Sequence, residues 1–273
     1  MTNQTIHTDL ADELFGRVRA QQSGAPLPPG VRIATARSGG VTVTRVQITR
    51  NGLARPRGRY VTLETPAVSI LDERDELVIE LAADELRALL PAKGPVLVVG
   101  VGNRRVTADA LGPRTVQKVL VTMGPVAASW GAPLPGVRPV AAVAPGVAAA
   151  TGIPLQQMLA SLVAAMQPAA VLCVDSLMSA EPQRLGRTLQ FSDTGLCPDD
   201  PASAKSLTER RLGVPVVAAG IPTLMAAREG EDLVVTPRAL DSVISHGAAL
   251  LGAAINRALQ PGFTVPQLCW LAN

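Results

Sequence analysis

Two short, uninterrupted apolar runs constrain this chain more than anything else in it: Val96 to Gly100 (VLVVG) and Ala169 to Val174 (AAVLCV). Neither run alternates with polar residues, so neither suits a strand with one wet face. Each reads as a strand covered on both sides, as in a sheet sandwiched between helices. Both break off where a carboxylate follows: the first gives way to a glycine turn and then Asp109, and the second ends directly at Asp175. Ligands of open α/β sheets bind beyond the carboxyl ends of strands, so the two acids are candidates to share one cleft. Hydrophobic residues make up 47% of the 273 residues but aromatics only 2%, so the core must be filled by Val, Leu, Ala and Ile.

The N-terminal 30 residues read as an arm, with a short helix over Asp9 to Arg19 and an extended Pro/Gly-rich stretch from Ser23 to Gly30. Val41 to Ile48 and Arg59 to Glu64 alternate with period two and predict antiparallel strands. Glu76 to Leu81 (ELVIEL) predicts a further strand, and Asp84 to Leu90 a helix. From residue 95 the pattern changes. Strands are expected at Pro95 to Val99, Val137 to Val143, Ala169 to Val174 and Val214 to Ala219. Helices are expected at Pro113 to Val121, Gly152 to Met166, Lys205 to Leu212 and, behind a Thr-Pro start, Thr236 to Ala258. This alternation predicts an α/β fold, a three-layer and mostly parallel sheet flanked by helices, with a small antiparallel β element near the N-terminus. The apolar tail from Pro261 is expected to dock on the body or on another subunit.

No run reaches the ~18 apolar residues of a membrane span, and the N-terminus has no apolar signal region. A cytoplasmic protein is expected. Cys173, Cys197 and Cys269 are widely spaced, with no CxxC, and suggest neither a disulfide framework nor a zinc site. A net charge of +3 and a pI near 9.0 lean towards acidic partners. Without dense basic blocks or aromatic platforms, direct nucleic-acid binding is not expected. The Gly100-Val-Gly102 turn fails the dinucleotide fingerprint, because Arg105 stands where the third glycine belongs. Walker, GxSxG and HExxH patterns are absent, so no cofactor or metal is expected. His7 and His246 are the only histidines, which leaves a Cys197/His246 pair as the one thiol–imidazole option.

The acids remain. Asp109 precedes a helix start, where it either caps the helix or does chemistry. Asp175 either orders a loop or does chemistry, and Asp193 lies in a Ser-Asp-Thr-Gly turn. If Asp109 and Asp175 approach closely, both cannot ionise at once and the pair holds one proton. One member then draws a proton from water while the other polarises a carbonyl.

The motifs VVGVGNRRVTADALGP, APGVAAATGI, AVLCVDSL, LQFSDTGL and LGVPVVAAGIPT occur in this order, with HTDLADE and RYVTLE ahead of them. Together they closely resemble the germination (spore) protease family of endospore-forming bacteria, over nearly the whole chain. The resemblance implies an atypical aspartic endopeptidase that degrades small acid-soluble spore proteins during germination in the spore core. It implies a fold similar to hydrogenase maturation proteases, and a homotetramer. By motif the catalytic aspartates are Asp109 and Asp175, and Asp193 is an auxiliary candidate. The family is made as a zymogen. Here residues 1–9 are the expected propeptide, cut between Asp9 and Leu10 within His7-Thr-Asp-Leu-Ala, and residues 10–273 the single protease domain. The chain departs from the family at His7, at Leu177 to Ala180, and in Cys197 to Leu207, where a Gly-rich loop is usual. Two alternatives stay open. One is a maturation-type endopeptidase that reads a metal in its substrate; the other is a non-catalytic binding protein on the same fold.

Overall fold

The computed structural model describes residues 8–21, 26–53, 55–124, 136–197, 206–226 and 234–272, and for residues 17–21 the backbone alone. Helix α1 (Ala11–Gln21) precedes three antiparallel strands, β1 (Val31–Ser38), β2 (Val41–Ile48) and β3 (Gly58–Glu64). The β1–β2 register closes at Ser38 opposite Val41, so the turn is Gly39-Gly40, both with positive φ (52° and 83°). Such a two-residue turn matches the strand twist and strongly favours glycine.

Helix α2 (Glu76–Leu89) takes in the segment expected as a strand at 76–81. Its buried residues Val78, Ile79, Ala82, Ala83, Leu86 and Leu89 recur on one helical face. The short alternation in ELVIEL is compatible with a strand, but only a helix carries the apolar face on through Leu89. After β4 (Val96–Gly100) and α3 (Leu111–Thr115) come β5 (Val140–Val143), α4 (Ala148–Thr151), α5 (Leu155–Met166) and β6 (Ala170–Met178). Then follow β7 (Thr188–Ser192), α6 (Glu209–Leu212), β8 (Val216–Ala226), β9 (Val234–Val235), α7 (Leu240–Leu259) and α8 (Val265–Ala272). The expected helix at 113–121 is cut short: α3 gives way to a 3₁₀ turn at Val116–Lys118, and the chain is extended by Val119. The long helix starts at Leu240 rather than at the Thr-Pro pair, and its N-cap Ala239 makes no side-chain bond.

The strands form one sheet in the order β1-β2-β3-β7-β8-β6-β4-β5, with β9 on β8. Pairs β4–β5, β4–β6 and β6–β8 are parallel; the other pairings are antiparallel. The sheet is therefore mixed, with antiparallel pairs in the majority, and not mostly parallel as expected. The cause is β7, which inserts between β3 and β8 and runs antiparallel to both, welding the N-terminal strands to the parallel set.

Side chains alternate between faces. Val96, Val98, Leu172, Val174, Val217 and Ile221 pack with residues of α2 and α7. Leu97, Val99, Val171, Cys173, Val216 and Ala218 pack with residues of α5 on the opposite face. Beside α5, α1 covers β2 and β3 through Ala11, Phe15, Val46, Ile48 and Tyr60. Helices lie on both faces, as the uninterrupted apolar runs required.

Candidate active site

Strands β4 and β6 are neighbours, and their carboxyl ends emerge side by side: Gly100 is in register with Val174, and the Val101 N–H donates to the Val174 carbonyl (2.8 Å). Helix α3 enters directly on this junction. A Cβ on Gly112 would stand 2.3 Å from both the Val101 and the Val174 carbonyl oxygens, and one on Gly100 would stand 2.2 Å from the Gly112 carbonyl oxygen. Only glycines allow so close an approach. Asp109 ends a 3₁₀ turn (Thr107–Asp109) just before α3. Its Oδ2 accepts from the Asn103 N–H (2.7 Å), back in the glycine turn, and Gly102 (φ +124°) lies against its carbonyl oxygen. The same turn is fastened to β8, where the Thr223 hydroxyl donates to the Ala108 carbonyl (2.9 Å). Helix α3 itself opens without a side-chain cap.

Asp175 continues β6 on the face of Val171 and Cys173 and is 6% exposed. Its Oδ1 accepts from the Ser176 N–H (2.8 Å). It closes a cross-strand row: Thr62 on β3 pairs with Gln190 on β7, Gln190 with Gly220 on β8, and Gly220 with Asp175 on β6. The absent side chain at Gly220 makes room for the Leu177 side chain, whose Cγ would lie 2.6 Å from a Cβ there.

The arm lies against β6 and β7. The Asp9 N–H donates to the Met178 carbonyl (2.9 Å), and the Met178 N–H donates back to Asp9 Oδ2 (2.8 Å). The Asp9 carbonyl accepts from the Gln190 side-chain amide. Arg55, 6% exposed, reaches Asp9 Oδ1 (3.6 Å) and donates to the carbonyls of Thr8 and Cys197. Leu10 and Ala11 are fully buried. Beyond them, the Glu13 carboxyl accepts from the Thr8 and Ser179 hydroxyls and the Ala180 N–H, while Asp12 pairs with Arg184 (2.9 Å). The expected cleavage peptide is thus seated on the strand that carries Asp175. His7 lies outside the described residues, as does 198–205 of the divergent loop.

Asp193 is placed elsewhere. It follows β7 at the end away from Asp175, and both its oxygens accept from Arg59, from the N–H and Nε (2.7 Å each). Continuing the strand register sets it two strands across and three residues along from Asp175, about 14 Å by ordinary sheet spacings. The thiol–imidazole option is not assembled. His246 Nδ1 is 2.6 Å from the Leu71 carbonyl on the α7 side of the sheet, whereas Cys197 lies on the other side, its thiol donating to the Thr194 carbonyl (3.2 Å). Burial pushes the Cys197 thiol up, and burial with the Asp175 charge pushes Cys173 up further, so neither is a ready thiolate. Among the described residues no group of three or more His, Cys, Asp and Glu is arranged to hold a metal. No helix among them is long and apolar enough to cross a membrane.

A family model described as germination protease matches residues 17–229. The chain belongs to the germination protease family. The germination protease of Bacillus velezensis is 34% identical over 94% of this chain and 72% of its own length. That of Caldanaerobacter subterraneus is 32% identical over 96% of this chain and 97% of its own. The Clostridium acetobutylicum protein is 29% identical, over 97% and 98%. Membership makes this a peptidase of spore germination. Within this family member, sequence reasoning missed Gln190, Arg55, Asp12 and Glu13. Gln190 did carry a signal: it is the polar residue between Leu189 and Phe191 in a five-residue strand, so it must face away from the apolar core they enter.

Proposed function

We propose that the protein is an aspartic-type endopeptidase in which Asp109 and Asp175 share one proton and activate water. The observation that carries this reading is the junction of β4 and β6, where the chain segments bearing the two acids are locked together by the Val101–Val174 hydrogen bond and by Gly112. The substrates are small acid-soluble spore proteins, cleaved in the spore core during germination. Arg57, Arg210 and Arg211 line a groove that meets the pocket around Asp9 at Arg55, Thr194 and Cys197, and suit an acidic substrate segment. Residues 1–9 act as a propeptide removed by self-cleavage between Asp9 and Leu10, leaving residues 10–273 as the protease domain. The parallel strands β4, β6 and β8 with their flanking helices are the part of the fold we relate to hydrogenase maturation proteases. Asp193, held by Arg59, would act as an auxiliary by shaping the groove wall. Assembly as a homotetramer belongs to the same reading.

The test is Asp109→Asn and Asp175→Asn in the full chain. Each should lower both self-cleavage and cleavage of a spore-protein substrate by about 10³-fold or more, read by the appearance of chains starting at Leu10 and of substrate fragments. Near-normal turnover by either variant defeats the acid-pair mechanism.

A further inference from the structure

We propose that Gln190 is a catalytic residue that polarises the scissile carbonyl. The inference rests on the reading above for the bond cleaved and for the acids that activate water, and it adds the electrophilic side of the reaction. Gln190 is 6% exposed, and its Nε2 donates to the Asp9 carbonyl oxygen, the acceptor in the Asp9–Leu10 bond. Its amide is oriented from behind. Oε1 lies 3.2 Å from the Thr62 hydroxyl, which is 3.0 Å from Asp12 Oδ1, and Arg184 holds Asp12 at 2.9 Å. With a hydroxyl at the oxygen end, the N–H end is the one that faces the peptide. Gln190 and Asp175 stand on the same face, two strand spacings apart, about 10 Å, with the Leu177 side chain packed over Gly220 between their strands. In the proposal the amide holds the carbonyl oxygen while the acid pair acts on the water that attacks the carbonyl carbon. The Asp9 backbone is fixed beside Gln190 by Met178.

The chemistry balances as one hydrolysis. Water oxygen adds to the Asp9 carbonyl carbon, and its proton passes to the ionised member of the acid pair. Negative charge develops on the carbonyl oxygen, where the Gln190 N–H is already aimed, so its hydrogen bond strengthens as the barrier is climbed. The carbon–nitrogen bond then breaks, and the Leu10 nitrogen takes a proton from the acid pair. The new carboxyl passes its proton to the Leu10 amine, so Asp9 ends as a carboxylate terminus and Leu10 as an ammonium, with one water consumed and the acid pair and Gln190 unchanged.

Gln190→Ala and Gln190→Glu in the full chain test this. Self-cleavage is followed by intact mass and N-terminal sequencing. Turnover in trans is followed on a peptide spanning the Thr8 to Glu13 sequence. Both variants should slow cleavage by about 10²- to 10³-fold at neutral pH, in kcat rather than KM. Gln190→Glu preserves the shape but replaces the donor with an acceptor. It should regain part of its rate relative to Gln190→Ala as the pH falls and its carboxyl protonates, a recovery that a merely structural role would not produce. Cleavage by Gln190→Ala within about threefold of wild type, or a loss confined to KM, overturns the proposal. So does a Gln190→Glu variant that folds normally and shows no acid-dependent recovery over Gln190→Ala. Asp109→Asn and Asp175→Asn, run alongside, separate the two ideas. Inert aspartate variants with active Gln190 variants remove Gln190 alone, and the opposite pattern removes the acid pair alone.

Discussion

At the scale of single residues, the acids of the arm differ in environment. Glu13 is 2% exposed. Burial pushes its carboxyl above the ordinary value of 4.5, Glu181 adds to the rise, and the bonds from Ser179, Thr8 and Ala180 pull part of the way back. A raised pKa in the folded state means that the fold binds the proton more tightly than the unfolded chain does. This contribution to stability is complete below about pH 4.5 and is lost as pH rises through the raised value. The melting temperature of wild type should therefore fall more steeply as pH rises above about 4.5 than that of Glu13→Gln, which cannot titrate. Parallel slopes for the two proteins would rule this out. Residues of this kind are hard to see in a sequence. Asp109 and Asp175 stood out because each follows an apolar run. Gln190 and Arg55 acquire their roles from Thr62 and Asp9, partners that only the folded sheet brings to them.

At the scale of elements, the sequence was most legible where burial was complete. The cores of β4 and β6 fall within the apolar runs, and α5 and most of α7 follow their periodicity. It was least legible at β1, whose outer half is exposed and carries no clean alternation, and at Glu76–Leu81, where six residues fit two periods. The end of α3 was illegible for a tertiary reason. Asn256 on α7, 3% exposed, accepts from the Leu120 N–H and donates to the Lys118 carbonyl (2.8 Å each), taking backbone groups that a longer helix would have used itself. Asn256→Ala strands both groups and should destabilise the protein by about 1–3 kcal/mol. Denaturant unfolding would measure this, and an unchanged midpoint would mean that water replaces the amide.

At the scale of the molecule, the five ordered motifs identified the family, but the way the halves join did not follow from them. Strand β7 was not foreseen, and it makes one mixed sheet of what read as a parallel body and a small β appendage. The consequence is geometric: α1, docked on the antiparallel half, delivers the Asp9–Leu10 peptide to the end of the parallel half within one chain. Self-cleavage should accordingly be first order, with a half-time unchanged when the protein is diluted about tenfold, because the reactive groups already share one molecule. A half-time that lengthens in proportion to dilution would require cutting between molecules.

The buried Leu10 and Ala11 and the moored acids Asp12 and Glu13 also give that event a direction. Leu10 to Glu13, directly downstream of the joint, are already part of the body, whereas the described residues upstream of it, Thr8 and Asp9, are fastened mainly by polar contacts. If the joint is cut as proposed, the released segment gains translational freedom as it diffuses away, and resealing would require it to be recaptured in register. Under the proposed cleavage, such a joint opens once per lifetime of the molecule.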